Sequence, residues 1–158
     1  MTIQINVGDH TSSMADYIAV PNGARLQMTR WARTHALWIA RNMLRADIYF
    51  QGLPGGRTLT ELLDDDSIWI NFGHALSGFG QTNFAGGNEV AIGPQAYRMG
   101  RWTVVATLIH ELAHVDGVPG GADLRAEEAL LHTGLGYQSE RTTGVDNPNT
   151  PYDPGISG

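Results

Sequence analysis

The chain of 158 residues contains no cysteine. That absence excludes disulfides, thiolate zinc sites and cysteine nucleophiles from the chemistry of this protein. Any metal ion would therefore be bound by histidine, aspartate, glutamate or water.

Lysine is absent as well, so the ten basic residues are all arginines. Sixteen acidic residues outnumber them and give a formal net charge of −6. Because nucleic acid is itself a polyanion, this charge balance predicts that the protein has no nucleic-acid partner.

Long apolar runs are also missing from the sequence. None approaches the roughly 20 residues that a membrane-spanning helix needs, so we expect no membrane span. Residues 1–20 lack a basic segment followed by a continuous apolar core, which predicts no secretory signal. We therefore expect a cytoplasmic protein in the producing cell, with export by a signal-independent route as the alternative.

The length and the hydrophobic content of 42% are ordinary for one globular domain. We expect residues 1–158 to form a single domain, whose last part, residues 138–158, is a polar and irregular tail. Three prolines in that part, at positions 148, 151 and 154, argue against regular structure there.

A long helix is predicted over residues 24–46, which contain no glycine or proline and carry an apolar stripe at three- and four-residue spacing. Five of the ten arginines lie in this segment. We interpret them as a solvated helix face, with a docking face for an acidic partner as the alternative.

Short strands are predicted over residues 2–7, 48–50, 67–72 and 88–93 from alternation and composition. Residues 73–87 are rich in glycine and asparagine and predict a long loop. The last of the four strands could form a sheet edge that is open to an extended peptide. A capping box, Thr58 with Glu61, predicts a short helix between the second and third strands.

Together these segments predict an α+β fold with a long N-terminal helix and a small mixed or antiparallel sheet. A helix is predicted over residues 102–115, which contain no glycine or proline and are almost entirely apolar. A further helix is predicted to follow it over residues 124–132, with Asp123 as its N-cap.

The most informative stretch is residues 104–117, where His110-Glu111-Leu112-Ala113-His114 lies inside an unbroken apolar run. On a helix, positions i and i+4 share one face, so His110 and His114 can direct their imidazoles at one point. Burying two histidines and a carboxylate without partners would cost free energy on the order of several kcal/mol. A metal ion bound between them would remove that cost. The pattern therefore predicts a zinc site in which Glu111 acts as the general base.

A catalytic zinc usually has three protein ligands and a water. Glu127 and Glu128 on the following helix are the main candidates for the third ligand, and helical periodicity separates them poorly. Asp123 is a rival, and Asp116 is a weaker one. The metzincin signature begins in the same way, but it needs a ligand where this chain has Gly120 and a methionine turn downstream, whereas the last methionine is Met99.

Residues 89–136 resemble the zincin-type metallopeptidase domains that serve as toxic modules of bacterial polymorphic-toxin and type VI secretion effectors. The resemblance is carried by Thr107-Leu108-Ile109-His110-Glu111-Leu112-Ala113-His114, by a glycine-rich turn, by Ala126-Glu127-Glu128-Ala129-Leu130-Leu131, and by Gly134-Leu135-Gly136. It covers about a third of the chain, and the chain departs from it at Thr133, where the family often has cysteine.

This resemblance implies a zincin-like fold and a gluzincin-like site, with Glu127 as the ligand that completes His110 and His114. It also implies a bacterial toxin delivered into a target cell, a peptide or protein substrate, and an immunity protein as partner.

The residues predict hydrolysis of an amide bond by a metal-activated water, with Glu111 taking the proton. His74, His132 and Tyr137 are candidates for the side chain that stabilises the oxyanion. Two alternatives are a metal-stabilised binding module without turnover, and an amidase acting on peptidoglycan.

Overall fold

The computed structural model describes residues 1–135, and the predicted irregular tail lies outside the described residues. Within this range the chain forms six helices and a five-stranded mixed sheet, which is an α+β architecture. The strands are β1 (Gln4–Ile5), β2 (Tyr17–Ile18), β3 (Trp69–Gly73), β4 (Gly80–Thr82) and β5 (Glu89–Ile92). The helices are α1 (Ala24–Asn42), α2 (Leu44–Gln51), α3 (Leu59–Leu63), α4 (Pro94–Met99), α5 (Arg101–Val115) and α6 (Arg125–Leu131).

The sheet has the strand order β1-β3-β5-β4, and β2 also pairs with β3. The three strands β1, β3 and β5 run parallel, whereas β2 and β4 are antiparallel to their neighbours. The prediction that residues 88–93 form the sheet edge is wrong, because β5 has neighbours on both sides. All four residues of β5 are buried, as expected of a central strand. The edge on this side of the described sheet is the short strand β4.

The predicted long helix is confirmed, although it ends at Asn42, where the backbone at Met43 is not helical. The predicted strand over residues 48–50 is wrong, because these residues belong to α2. Ala46 and Phe50, four positions apart, form its buried side. This spacing is helical, and three residues of β-prone composition were too few to reveal it.

The prediction of a helix that begins at Thr58 is confirmed, since the Thr58 side chain accepts a hydrogen bond from the Glu61 backbone N–H. None of the described helices is both long enough and apolar enough to cross a bilayer.

The core lies between the sheet and the helices, and α5 passes through its centre. This helix packs against α1, α4 and α6 and against strands β4 and β5. Every residue from Thr103 to Val115 is buried, which explains why its apolar residues surround the helix. The stretch that carries the two histidines is therefore enclosed on all sides except near its C-terminal end.

Candidate metal centre

His110 and His114 lie on α5, one helical turn apart, and are 0% and 7% exposed. Their Nε2 atoms are 3.3 Å apart, so the two rings point at one place, as the i and i+4 spacing predicts. Ligand atoms about 2.0–2.1 Å from a tetrahedral ion are about 3.3–3.4 Å from each other. The separation of the two nitrogens therefore fits two ligands of one zinc ion.

The end of α5 determines which nitrogen of His114 carries the proton. Gly117 has a φ of 96°, and its N–H and that of Val118 donate to the carbonyls of His114 and Ala113. This is the Schellman pattern of helix termination, which favours glycine because a side chain is strained at positive φ. The turn brings the Val118 carbonyl to 2.7 Å from His114 Nδ1.

A carbonyl oxygen only accepts hydrogen bonds, so Nδ1 of His114 must be the protonated nitrogen. In the neutral ring, Nε2 then has a free lone pair directed toward His110. A metal-binding histidine usually donates its other ring N–H in this way, and that hydrogen bond fixes the tautomer and the orientation of the ring.

Glu111 is 1% exposed, and its Oε2 is 3.9 Å from His110 Nε2. The Thr82 hydroxyl in β4 lies 3.0 Å from both Oε1 and the backbone carbonyl of Glu111, and thereby holds the carboxyl against the edge strand. Burial raises the pKa of Glu111 to about 8, the Thr82 hydrogen bond opposes this, and the charge of Glu127 adds to it. A cation between the carboxylates of Glu111 and Glu127 would lower the pKa of Glu111 and so favour its ionised form.

Glu127 approaches the same place from α6, with its Oε1 4.0 Å from His110 Nε2. Its Oε2 is buried and has no hydrogen-bond partner among the described residues. The adjacent Glu128 points elsewhere, because its Oε2 is 3.3 Å from the Tyr49 hydroxyl on α2. The two glutamates that periodicity separates poorly thus have different surroundings.

The other two candidates for a third ligand are engaged in different contacts. Asp123 forms an ion pair with Arg125 at 2.7 Å, which lowers the pKa of Asp123 to about 2. Its Oδ1 also accepts the Arg125 backbone N–H, but the residue at the N-cap position of α6 is Leu124.

Asp116 is buried, and its Oδ1 accepts the backbone N–H of Arg57. Its carbonyl accepts the N–H of Gly55 at 2.7 Å. These bonds attach the end of α5 to the loop between α2 and α3, which is a structural role.

Two of the three candidates for oxyanion stabilisation lie away from this cluster. His74 is half-exposed, and its Nε2 is 3.9 Å from Oδ1 of Asp16. The ring of His132 stacks on Tyr49, with the centroids 4.3 Å apart. Tyr137 lies outside the described residues.

An open cleft of about 240 Å³ lies beside the cluster. Glu111 and His114 form part of its wall, and residues of β4 and of the loops that follow β4 and α5 form the rest, among them Gln81 and Thr82. Neither residue was predicted from the sequence, because the three residues of β4 lie inside a glycine-rich segment that predicts a loop. The Tyr17 hydroxyl donates to Oε1 of Gln81 at 2.7 Å, which leaves the amide N–H groups of Gln81 as donors at the cleft.

The donor set fits a zinc ion. His110, Glu111 and His114 each place a ligand atom within 4.8 Å of the others, and Oε1 of Glu127 lies 4.0 Å from Nε2 of His110. Neutral imidazole nitrogens and carboxylate oxygens are zinc ligands. Without a cation, the buried carboxylate of Glu111 beside the charge of Glu127 would be costly.

Comparison with known protein families, with curated proteins and with solved structures finds no significant match to this chain.

Proposed function

We propose that this protein is a zinc-dependent hydrolase of amide bonds, with a peptide as its substrate. The observation that carries the proposal is the convergence of His110, His114, Glu127 and Glu111 beside an open cleft that the edge strand β4 borders. In this proposal the two histidines and Glu127 hold the ion, and Glu111 does not coordinate it. When bound, zinc would polarise the scissile carbonyl and lower the pKa of a bound water.

Glu111 is the general base of the proposed reaction. It takes the proton of the attacking water on a carboxylate oxygen and returns this proton to the leaving amine nitrogen. The Thr82 hydroxyl, which bonds to the carboxyl and to the backbone of the same residue, keeps that oxygen in position. Gln81 is fixed by Tyr17 and offers an amide N–H to the carbonyl oxygen of a bound substrate.

A peptide fits the cleft better than a compact substrate because β4 ends the described sheet. Its outer edge can accept an extended chain by strand addition, with backbone hydrogen bonds that do not depend on the substrate sequence. The zincin-like fold and the role of a delivered bacterial toxin, with an immunity protein as partner, rest on the sequence resemblance alone and remain predictions.

The proposal is tested with Glu111→Gln, which keeps the size of the side chain but removes its ability to accept a proton. We expect about one zinc per chain in both wild type and variant, while turnover of a quenched fluorescent peptide library falls about 10²- to 10⁴-fold in the variant. The control is Glu128→Gln, the same chemical change at a glutamate directed away from the cluster, which should keep both zinc and turnover.

Peptidoglycan sacculi serve as a second substrate, because an amidase would use the same chemistry on stem peptides. Cleavage of sacculi but not of the library would assign the substrate to peptidoglycan. A zinc-loaded wild type that cleaves neither would contradict hydrolysis and favour a binding module. Absence of zinc from the wild type would contradict the metal site itself.

A further inference from the structure

Two segments of this acidic protein carry most of its positive charge. Residues 21–46 and 90–110 contain seven of the ten arginines and no aspartate or glutamate. They include α1, α4 and the first part of α5, and both α1 and α4 pack against α5. The ion pairs that arginines make within the described residues, Arg57 with Asp65 and Arg125 with Asp123, both lie outside these ranges.

Exposed and half-exposed aromatic rings line one face of α1 where it meets α5. Trp31, His35 and Trp38 stack along α1, with centroids 4.8 Å and 5.6 Å apart, and Trp102 on α5 packs edge-on against the first two. Trp38 is 52% exposed, which is unusual for so large an apolar side chain. The guanidinium of Arg101 lies 4.5 Å from the centre of the Trp31 ring.

Two shallow cavities, of about 280 and 310 Å³, meet at Met28 on this side. One lies between α1 and α4 and is bordered by Arg25 and Arg98, and the other is bordered by Trp31 and Arg101. We call this surface the arginine–aromatic face and define it by Arg25, Met28, Trp31, Trp38, Arg98 and Arg101. None of these six residues lines the proposed catalytic cleft.

We infer that the arginine–aromatic face binds an acidic segment of another protein, one that carries apolar side chains between its carboxylates. The arginines would pair with the carboxylates, and the two cavities would accept the apolar side chains. Charge complementarity supports this occupant, because Arg25, Arg98 and Arg101 lie in segments without aspartate or glutamate and form no ion pair within the described residues. The carboxylates of an acidic partner would supply their counter-charges. A solvated helix face would not need the exposed tryptophan or the cavities.

Nucleic acid is the less suitable polyanion for this face. Binding of single strands uses aromatic rings whose faces are open to bases, whereas the Trp31 ring is already in contact with His35 and with the Arg101 guanidinium.

The test measures binding of a fluorescent peptide of about 20 residues, rich in glutamate with leucine at every third or fourth position, at about 50 mM and about 300 mM NaCl. Single-stranded DNA of equal charge is the competing probe. We expect the wild-type protein to bind the peptide more tightly than the DNA, and to bind it less tightly at the higher salt.

The deciding comparison uses two double variants that lower the net charge equally. Arg98→Gln with Arg101→Gln, on the face, should weaken peptide binding at least about tenfold, or about 1.4 kcal/mol. Arg57→Gln with Arg125→Gln, outside the face, should leave it within about twofold. Thermal unfolding of both variants checks that each is folded. A third variant, Trp69→Phe, retains Trp31, Trp38 and Trp102 and all of the arginines. Quenching of its tryptophan emission reports binding of the peptide.

Equal losses in the two double variants would overturn the inference, because they would indicate only a general effect of charge. Tighter binding of the DNA, or no binding of the peptide by the wild type, would overturn it too. None of these readouts depends on zinc or turnover, so the inference and the proposed function can fail separately.

Discussion

At the scale of single residues, Glu127 and Glu128 are neighbours on α6 whose carboxylates have different partners. Adjacent helical positions point about 100° apart, so one ion cannot be reached by both. The Glu127 carboxyl lies at the histidine cluster, whereas that of Glu128 lies at Tyr49.

We therefore expect Glu127→Ala to weaken zinc binding more than about 100-fold, because a ligand is lost. Glu128→Ala should change zinc affinity less than about twofold and stability by less than about 0.5 kcal/mol. Competition with a chelator measures both affinities. Loss of zinc from the Glu128 variant alone would mean that the helix face is assigned wrongly.

Tyr97 provides a second prediction at this scale, one that does not involve the cluster. Its side chain is 6% exposed, and its hydroxyl is 2.7 Å from that of Thr29. Burial raises the pKa of Tyr97 from 10.0 to about 12, while the Thr29 hydrogen bond and the charge of Arg25 lower it.

Because the folded state favours the neutral phenol, the stability due to this shift is fully present below pH 10 and is lost as the pH rises toward 12. We expect the wild type to lose about 1–2 kcal/mol more than Tyr97→Phe between pH 9 and pH 11.5. Urea unfolding at the two pH values measures the difference. Parallel losses in both proteins would show that Tyr97 ionises equally easily when folded and unfolded.

At the scale of secondary-structure elements, the position of β4 depends on its close approach to α5. A Cβ atom placed on Gly80 would be 2.5 Å from the Thr107 methyl carbon and 3.2 Å from Glu111 Cγ. Glycine at this position therefore lets the edge strand lie directly against the helix that carries the histidines, within reach of the Thr82–Glu111 hydrogen bond.

We expect Gly80→Ala to push β4 away from α5, to cost about 1–3 kcal/mol of stability, and to reduce turnover at least about tenfold. Gly78→Ala is the matched control, because a Cβ atom there would have no neighbour within 4 Å. Thermal unfolding and peptide turnover of both variants test this. Equal behaviour of the two variants would contradict the close packing.

The extent to which the elements could be predicted differs along the chain, for physical reasons. The helices α1 and α5 were predictable because their lengths allow apolar periodicity or continuous burial to be read from the sequence. The short helix α2 was predicted as a strand, because three residues cannot distinguish the two periods. The edge strand β4 was missed because its hydrogen bonds to β5 and its packing on α5 are long-range contacts that its composition does not reveal.

The two histidines and Glu111 could be predicted as site residues from the sequence, because their spacing along a helix determines which side chains lie close together. Glu127 could be favoured over Glu128 only weakly, since the decisive partner, Tyr49, is far away along the chain. The Thr82 and Gln81 contacts were unpredictable for the same reason. Side chains that bind across elements depend on the tertiary fold, whereas those that share one helix depend mainly on local periodicity.

At the scale of the whole molecule, the order in which the core is completed follows from the long-range partners of the central elements. β1 pairs with β3, whose residues lie 65 positions later, and α1 packs on α5, which begins at Arg101. During synthesis on the ribosome, the first half of the chain thus leaves the exit tunnel before the elements that cover it exist.

The proposed ligands come from α5 and α6 and are therefore among the last described residues to be translated. A nascent chain that stops before Glu127 would have neither a completed core nor the full ligand set. Folding and acquisition of the metal ion should consequently occur late, after nearly all of the described chain has been released.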